Sequence, residues 1–181
     1  MHKGNIQTYL NFYFNNRDMD LHTALKKLKQ NKQYKDVSKD IYFSYALIMI
    51  EDSKEAPWLL GFYHKSTDKM ITFTVEDEIK MEQEEEIFKK PGMEVKPLDI
   101  EKAKIPYNEI LKISQEFQKE KYPNELSRKT IAIFQNLEQY GNIWNITYVT
   151  ISFKTLNMKI NAENGEIMDH NLQSLMDFVE K

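Results

Sequence analysis

The chain has 181 residues, 41% of them apolar and 29% charged, which is enough to bury a core and too apolar for a disordered chain. The net charge is −3, so no basic excess points to nucleic acid. There is no cysteine, which excludes disulfides, thiolate metal sites, iron–sulfur clusters and a thiol nucleophile.

In chain order, Ile6, Tyr9, Leu10, Tyr13 and Phe14 recur at helical spacing and predict an N-terminal amphipathic helix. Its aromatic side chains (Tyr9, Phe12, Tyr13, Phe14) read as core or as a dimer contact. Asp20 is a candidate N-cap for a second helix over 21–30, with Leu21, Ala24, Leu25 and Leu28 on one face. The polar stretch 31–39 reads as a loop. Three strands follow, over 41–50, 57–65 and 69–76, with Ser66-Thr67-Asp68 in the hairpin between the last two. The run 82–86 is acidic and reads as a solvated helix or loop leading to a linker at 91–97.

The second half repeats this order. Pro106 sits at the start of a helix whose buried face is Tyr107, Ile110, Leu111, Ser114 and Phe117. Strands are expected over 129–137, 143–151 and 155–162, then a turn around Gly165. Leu172, Leu175, Met176 and Val179 predict a closing amphipathic helix. Shifting the chain by 86 residues, the spacing between its two tryptophans, places Trp58 on Trp144, Leu21 on Tyr107, Ala24 on Ile110 and Leu47 on Ile133. After the hairpin the shift reads as 87, with Phe73 on Ile160. The expected fold is therefore α+β: a tandem duplication of an αβββ(α) unit, with an antiparallel three-stranded sheet packed on a helix in each copy, plus the N-terminal helix. The expected boundaries are 1–90 for the first unit, 91–97 for the linker and 98–181 for the second unit.

The second unit resembles the PepSY and PepSY-like domains. The likeness rests on Trp144-Asn145-Ile146-Thr147-Tyr148, on the run from Met158 to Ile167 with Asn161-Ala162-Glu163-Asn164-Gly165-Glu166 at its centre, and on the lead Leu98-Asp99-Ile100-Glu101-Lys102. It spans 97–181, and Asn161 stands where the family usually has Asp. The first unit keeps the Trp strand and the element order. The resemblance implies a non-catalytic module; some such domains are propeptide segments of secreted peptidases and others belong to membrane or envelope proteins.

No chemistry-bearing constellation emerges. His2, His22, His64 and His170 are dispersed, and the five isolated glycines build no phosphate loop. The lysines at 26, 27, 29, 32, 35 and 39 read as a wet helix face. No catalytic residue, metal ligand or cofactor is expected. No secretory h-region follows Lys3 and no stretch reaches the roughly 18 apolar residues of a bilayer span, so the reading is cytoplasmic, with no membrane and no nucleic-acid partner. The favoured function is a protein- or peptide-binding or regulatory module. The alternatives are a small-ligand protein or enzyme with a pocket between the units, and a structural homo-oligomer such as a dimer. The candidate ligand or partner surface is Trp58, His64, Trp144 and Tyr148.

Overall fold

Asp20 starts the first helix, because its carboxylate accepts the backbone N–H of Thr23 at 2.7 Å. The helix, α1 (Leu21–Gln30), turns Leu21, Ala24, Leu25 and Leu28 to the core. The structure is a computed structural model that describes residues 19–87 and 94–178. The expected N-terminal helix lies outside the described residues, as does the first part of the linker.

Asn31 ends α1 and begins another helix, accepting the N–H of Tyr34 at 3.3 Å. This short helix, α2 (Lys32–Val37), replaces the expected loop. Its polar composition hid it: Tyr34, with Val37, carries the apolar contact, and its ring stands edge-on to Phe62 and Phe73 at 5.2 and 5.8 Å. In the second half, α3 (Tyr107–Lys121) follows Pro106 and buries Tyr107, Ile110, Leu111 and Ser114.

The strands are β1 (Ile41–Glu51), β2 (Lys54–Glu55), β3 (Trp58–His64), β4 (Lys69–Val75), β5 (Ile79–Met81), β6 (Glu85–Glu86), β7 (Ser127–Leu137), β8 (Gly141–Thr150), β9 (Lys154–Asn161) and β10 (Ile167–Ser174). They do not form two three-stranded sheets. One antiparallel ten-stranded sheet runs β10-β9-β8-β7-β1-β3-β4-β5, with β2 beside β1 and β6 beside β4. The halves join edge to edge through β1 and β7. Their pairing satisfies the two backbone edges that separate sheets would leave open.

Two further expectations are corrected. The acidic run 82–86 forms no helix, and its end, Glu85–Glu86, forms β6 against β4. The closing helix is a strand up to Ser174: Leu172 lies across from Leu156 on β9, and only Leu175–Phe178 turns into a 3₁₀ helix. Pairing along the otherwise open β9 outweighs a helical spacing carried by four residues.

The register at the join has a symmetry of its own. Leu47 is opposite Ile133, Ala46 opposite Phe134 and Ile48 opposite Ala132. Exchanging the halves by the 86-residue shift maps the second pair onto the third and leaves the first in place. The third strands need a different shift. Phe73 faces Leu60 and Met158 faces Ile146, so these counterparts are spaced by 85 residues rather than 87. The second hairpin is one residue shorter than the first, and because both shifts are odd the buried parity is unchanged.

The three α-helices of the described residues pack on one face of the sheet. Trp58, Leu60, Phe62, Phe73, Phe134, Trp144, Ile146, Tyr148 and Met158 fill that side in one continuous cluster with α1 and α3. Tyr107 sits between the tryptophans, its ring 5.6 Å from Trp58 and 5.3 Å from Trp144.

Candidate functional site on the open face of the sheet

Strand alternation puts the other half of each strand on the face away from the helices. At its centre Tyr45, Leu47 and Met49 of β1 lie beside Leu59 of β3 and Ile131 and Ile133 of β7. All six are partly exposed. The flanks are polar: Thr72 and Thr74 on β4, and on the other side Asn145, Thr147 and Asn157. Asn157 Nδ2 donates to Asn145 Oδ1 at 2.7 Å and to Thr147 Oγ1 at 2.8 Å. An apolar stripe with polar borders thus runs along the join of the halves.

Tyr45 is fixed within this stripe. Its ring lies across Gly61, where an added Cβ would fall 1.9 Å from Tyr45 Cε1. Its hydroxyl meets Thr72 Oγ1 at 2.9 Å. Burial of the phenol pushes its pKa above the ordinary value, with the Glu85 charge adding to the shift and the Thr72 hydrogen bond opposing it.

The chain connecting the halves crosses this face. Tyr42 donates its hydroxyl to Val95 O at 2.6 Å, Asn136 Nδ2 donates to Pro97 O at 3.1 Å, and Leu98 N donates to Phe43 O at 2.8 Å. Leu98 is already buried with the helices, so the segment passes from the open face to the core beyond the last β1–β7 pair. Val95 and its neighbours wall a groove of about 310 Å³ whose floor includes Tyr45, Leu47 and Ile133 and whose rim includes Gln135 and Glu138. The groove offers apolar contact edged by hydrogen-bonding groups.

The four residues singled out in the sequence lie elsewhere. Trp58 and Trp144 come together, rings 6.4 Å apart, but inside the core. Tyr148 is also buried. Ser114 gives its proton to Leu111 O, so Tyr148 donates its hydroxyl to Ser114 Oγ at 2.6 Å. Burial pushes the Tyr148 pKa up to about 12, against the lowering effect of that bond. His64 stands apart at the end of β3, where Nδ1 pairs with Glu84 and Nε2 lies 3.1 Å from Ser66 Oγ. Hydrogen bonding to His64 is the main reason the Glu84 pKa is lowered. These four therefore form no common surface. The sequence signal for the open face was the run over 45–50, apolar on both parities, the pattern of a strand covered on both faces.

Among the described residues no three His, Asp or Glu side chains gather as a metal site, and no helix is long and apolar enough to cross a membrane. No family model and no curated protein matches the chain. A solved structure does: a protein of Clostridium difficile 630 described as "a putative lipoprotein", 11% identical, with a TM-score of 0.53, covering 87% of this chain and 97% of that one. At that identity the likeness is one of fold.

Proposed function

We propose that the chain is a non-catalytic binding module, built from two copies of a PepSY-like helix-and-sheet unit, which holds a protein or peptide partner on the open face of its sheet. The observation that carries this is the apolar stripe Tyr45, Leu47, Met49, Ile131 and Ile133 on the face opposite the described helices, with the groove beside it. A sheet face left to water is expected to alternate apolar-in and polar-out, and this one departs from that pattern only at its centre.

Two observations support the duplicated unit. Strands β1 (Ile41–Glu51) and β7 (Ser127–Leu137) share both bounds under the 86-residue shift, as do the caps Asp20 and Pro106. The β1–β7 register is also unchanged on exchanging the halves. The PepSY-like turn is supported by its hydrogen bonds. Asn161 Oδ1 accepts from Glu163 N at 2.8 Å and Asn164 N at 3.2 Å, the acceptor role an Asp would fill, and Gly165 takes φ +77°.

The test is capture from native lysate on the full chain, run beside Leu47→Arg and Ile133→Arg variants that keep the wild-type melting midpoint. A partner of the open face is retained by the wild type, lost by both variants, and binds the purified wild type in calorimetry. Equal retention by both variants removes the open face as the site.

A further inference from the structure

Six large apolar side chains of the described residues are exposed, and four of them stand at one end of the sheet: Leu126 (55%), Ile151 (58%), Phe153 (71%) and Met176 (69%). Antiparallel pairing brings them there, because β7 and β9 start and β8 and β10 finish at this end. The backbone ties them together. Ile151 N donates to Leu126 O at 3.0 Å, and Leu175 N, one residue before Met176, donates to Phe153 O at 2.9 Å. Single exposed apolar residues need no explanation, but a cluster marks a contact site.

The fold does not require this composition, because the first half builds the matching end from charged and polar residues. Asp40 precedes β1 as Leu126 precedes β7, and Lys65-Ser66-Thr67-Asp68 links β3 to β4 as Ile151-Ser152-Phe153 links β8 to β9. The last turn residue takes a left-handed φ in both hairpins, +56° at Asp68 and +58° at Phe153. Asp tolerates that conformation, and a bulky aromatic residue rarely adopts it. The other non-glycine residues with positive φ among those described, Asp52 and Ser53, are also small and polar. Phe153 is thus held in an unfavourable backbone conformation with its ring in solvent, which core packing does not explain. Buried Glu125 braces the turn: its carboxylate accepts from the hydroxyls of Ser152 and Thr150 and from Lys154 Nζ at 2.6 Å. Arg128, two residues along from Leu126, is exposed.

We propose that this end of the sheet is a membrane-surface contact, in which Phe153, Ile151, Leu126 and Met176 enter the headgroup boundary of a lipid bilayer and Arg128 meets its phosphates. A second copy of the chain fits less well. At about 200 Å² for a large side chain, four fully exposed ones only reach the roughly 800 Å² per partner of a standard protein interface, and these four are partly covered. A lipid surface asks for no shape-matched partner, only for apolar side chains with a cation beside them. The expectation of no membrane partner rested on the lack of a spanning segment, which a surface contact does not need. The contact lies at the end of the sheet and is independent of the open-face reading.

The full chain is sedimented with phosphatidylcholine vesicles, with and without phosphatidylglycerol. The wild type is expected to bind both, and the anionic vesicles more tightly, a gain that Arg128→Gln removes. Phe153→Asn, which suits the left-handed turn, is expected to raise the melting midpoint and to lower partitioning about tenfold. Leu47→Arg, on the open face, is expected to partition as the wild type does, so each reading can fail while the other stands. No sedimentation of the wild type, equal partitioning of Phe153→Asn, or a concentration-dependent dimer in ultracentrifugation that Phe153→Asn dissolves overturns the proposal.

Discussion

Leu47 and Ile133 face each other across the strand pair that joins the two halves, and each is the other's counterpart under the 86-residue shift. The antiparallel register of β1 and β7 is therefore symmetric about this pair. One residue away, on the helix side, Ile48 lies opposite Ala132, and Ala46 and Ala132 are both fully buried. Small residues in β1 and β7 leave room there for the large rings of Phe134 and Trp144, 5.2 Å apart.

The two sides of this seam should respond differently. Ala132→Leu adds volume where none is free and should cost about 1–3 kcal/mol. Leu47→Ser, on the partly exposed side, should cost about 1 kcal/mol or less. Urea midpoints of the two variants decide it; equal losses would mean that the open face is packed as tightly as the core.

Gly61 and Tyr45 should be coupled. A methyl group at Gly61 falls on the Tyr45 ring, 1.9 Å from Cε1, so Gly61→Ala must displace the ring and break its hydrogen bond to Thr72. We expect a loss of about 1–3 kcal/mol in the wild-type background and a much smaller one in Tyr45→Ser, where the ring is gone. Additive losses in the double-mutant cycle would show that Gly61 is required for another reason.

Much of this architecture was legible in the sequence because it follows from local pattern. Leu21, Ala24, Leu25 and Leu28 sit at helical spacing and are all buried. Trp144, Ile146 and Tyr148 alternate and all point to the helices. What failed was non-local. The sequence alone does not tell whether two strand edges meet, so the β1–β7 join went unseen although 45–50 is apolar on both parities. The strand at Ile167–Ser174 exists because β9 offers an edge, which no periodicity in 172–179 encodes. The candidate site failed for a related reason. Tryptophan and tyrosine are common at binding surfaces and in cores alike, and here helix packing decides in favour of the core at Trp58, Trp144 and Tyr148.

Two turn glycines take positive φ, Gly141 at +70° and Gly165 at +77°. A Cβ on Gly141 meets nothing within 4 Å, whereas one on Gly165 comes to 2.9 Å from Ile113 Cδ1. Gly141→Val should therefore carry only the backbone strain, about 1–2 kcal/mol. Gly165→Val should cost more, because the strained turn also presses on α3. Thermal midpoints of the pair check the order, and a greater loss at Gly141 would contradict this account of the turn at Gly165.

The buried Tyr148 phenol links stability to alkaline pH. Burial raises its folded-state pKa to about 12 from the ordinary 10.0, and the hydrogen bond with Ser114 opposes that rise only in part. The folded state thus holds the proton more tightly than the unfolded chain. The stability contributed by the neutral phenol is fully present below pH 10, falls as the unfolded state ionises, and is lost by about pH 12. Two pKa units correspond to about 3 kcal/mol across that window. Tyr148→Phe removes this dependence and leaves Ser114 its bond to Leu111 O, 2.7 Å long. The other tyrosines titrate in both proteins, so the comparison isolates one group. Urea unfolding from pH 8 to pH 11.5 should show the wild type losing stability more steeply than Tyr148→Phe, with the gap between them opening only above pH 10. Parallel curves would mean that the phenol ionises in the folded state as readily as in the unfolded one, and that Tyr148 is not sealed from water beneath α3.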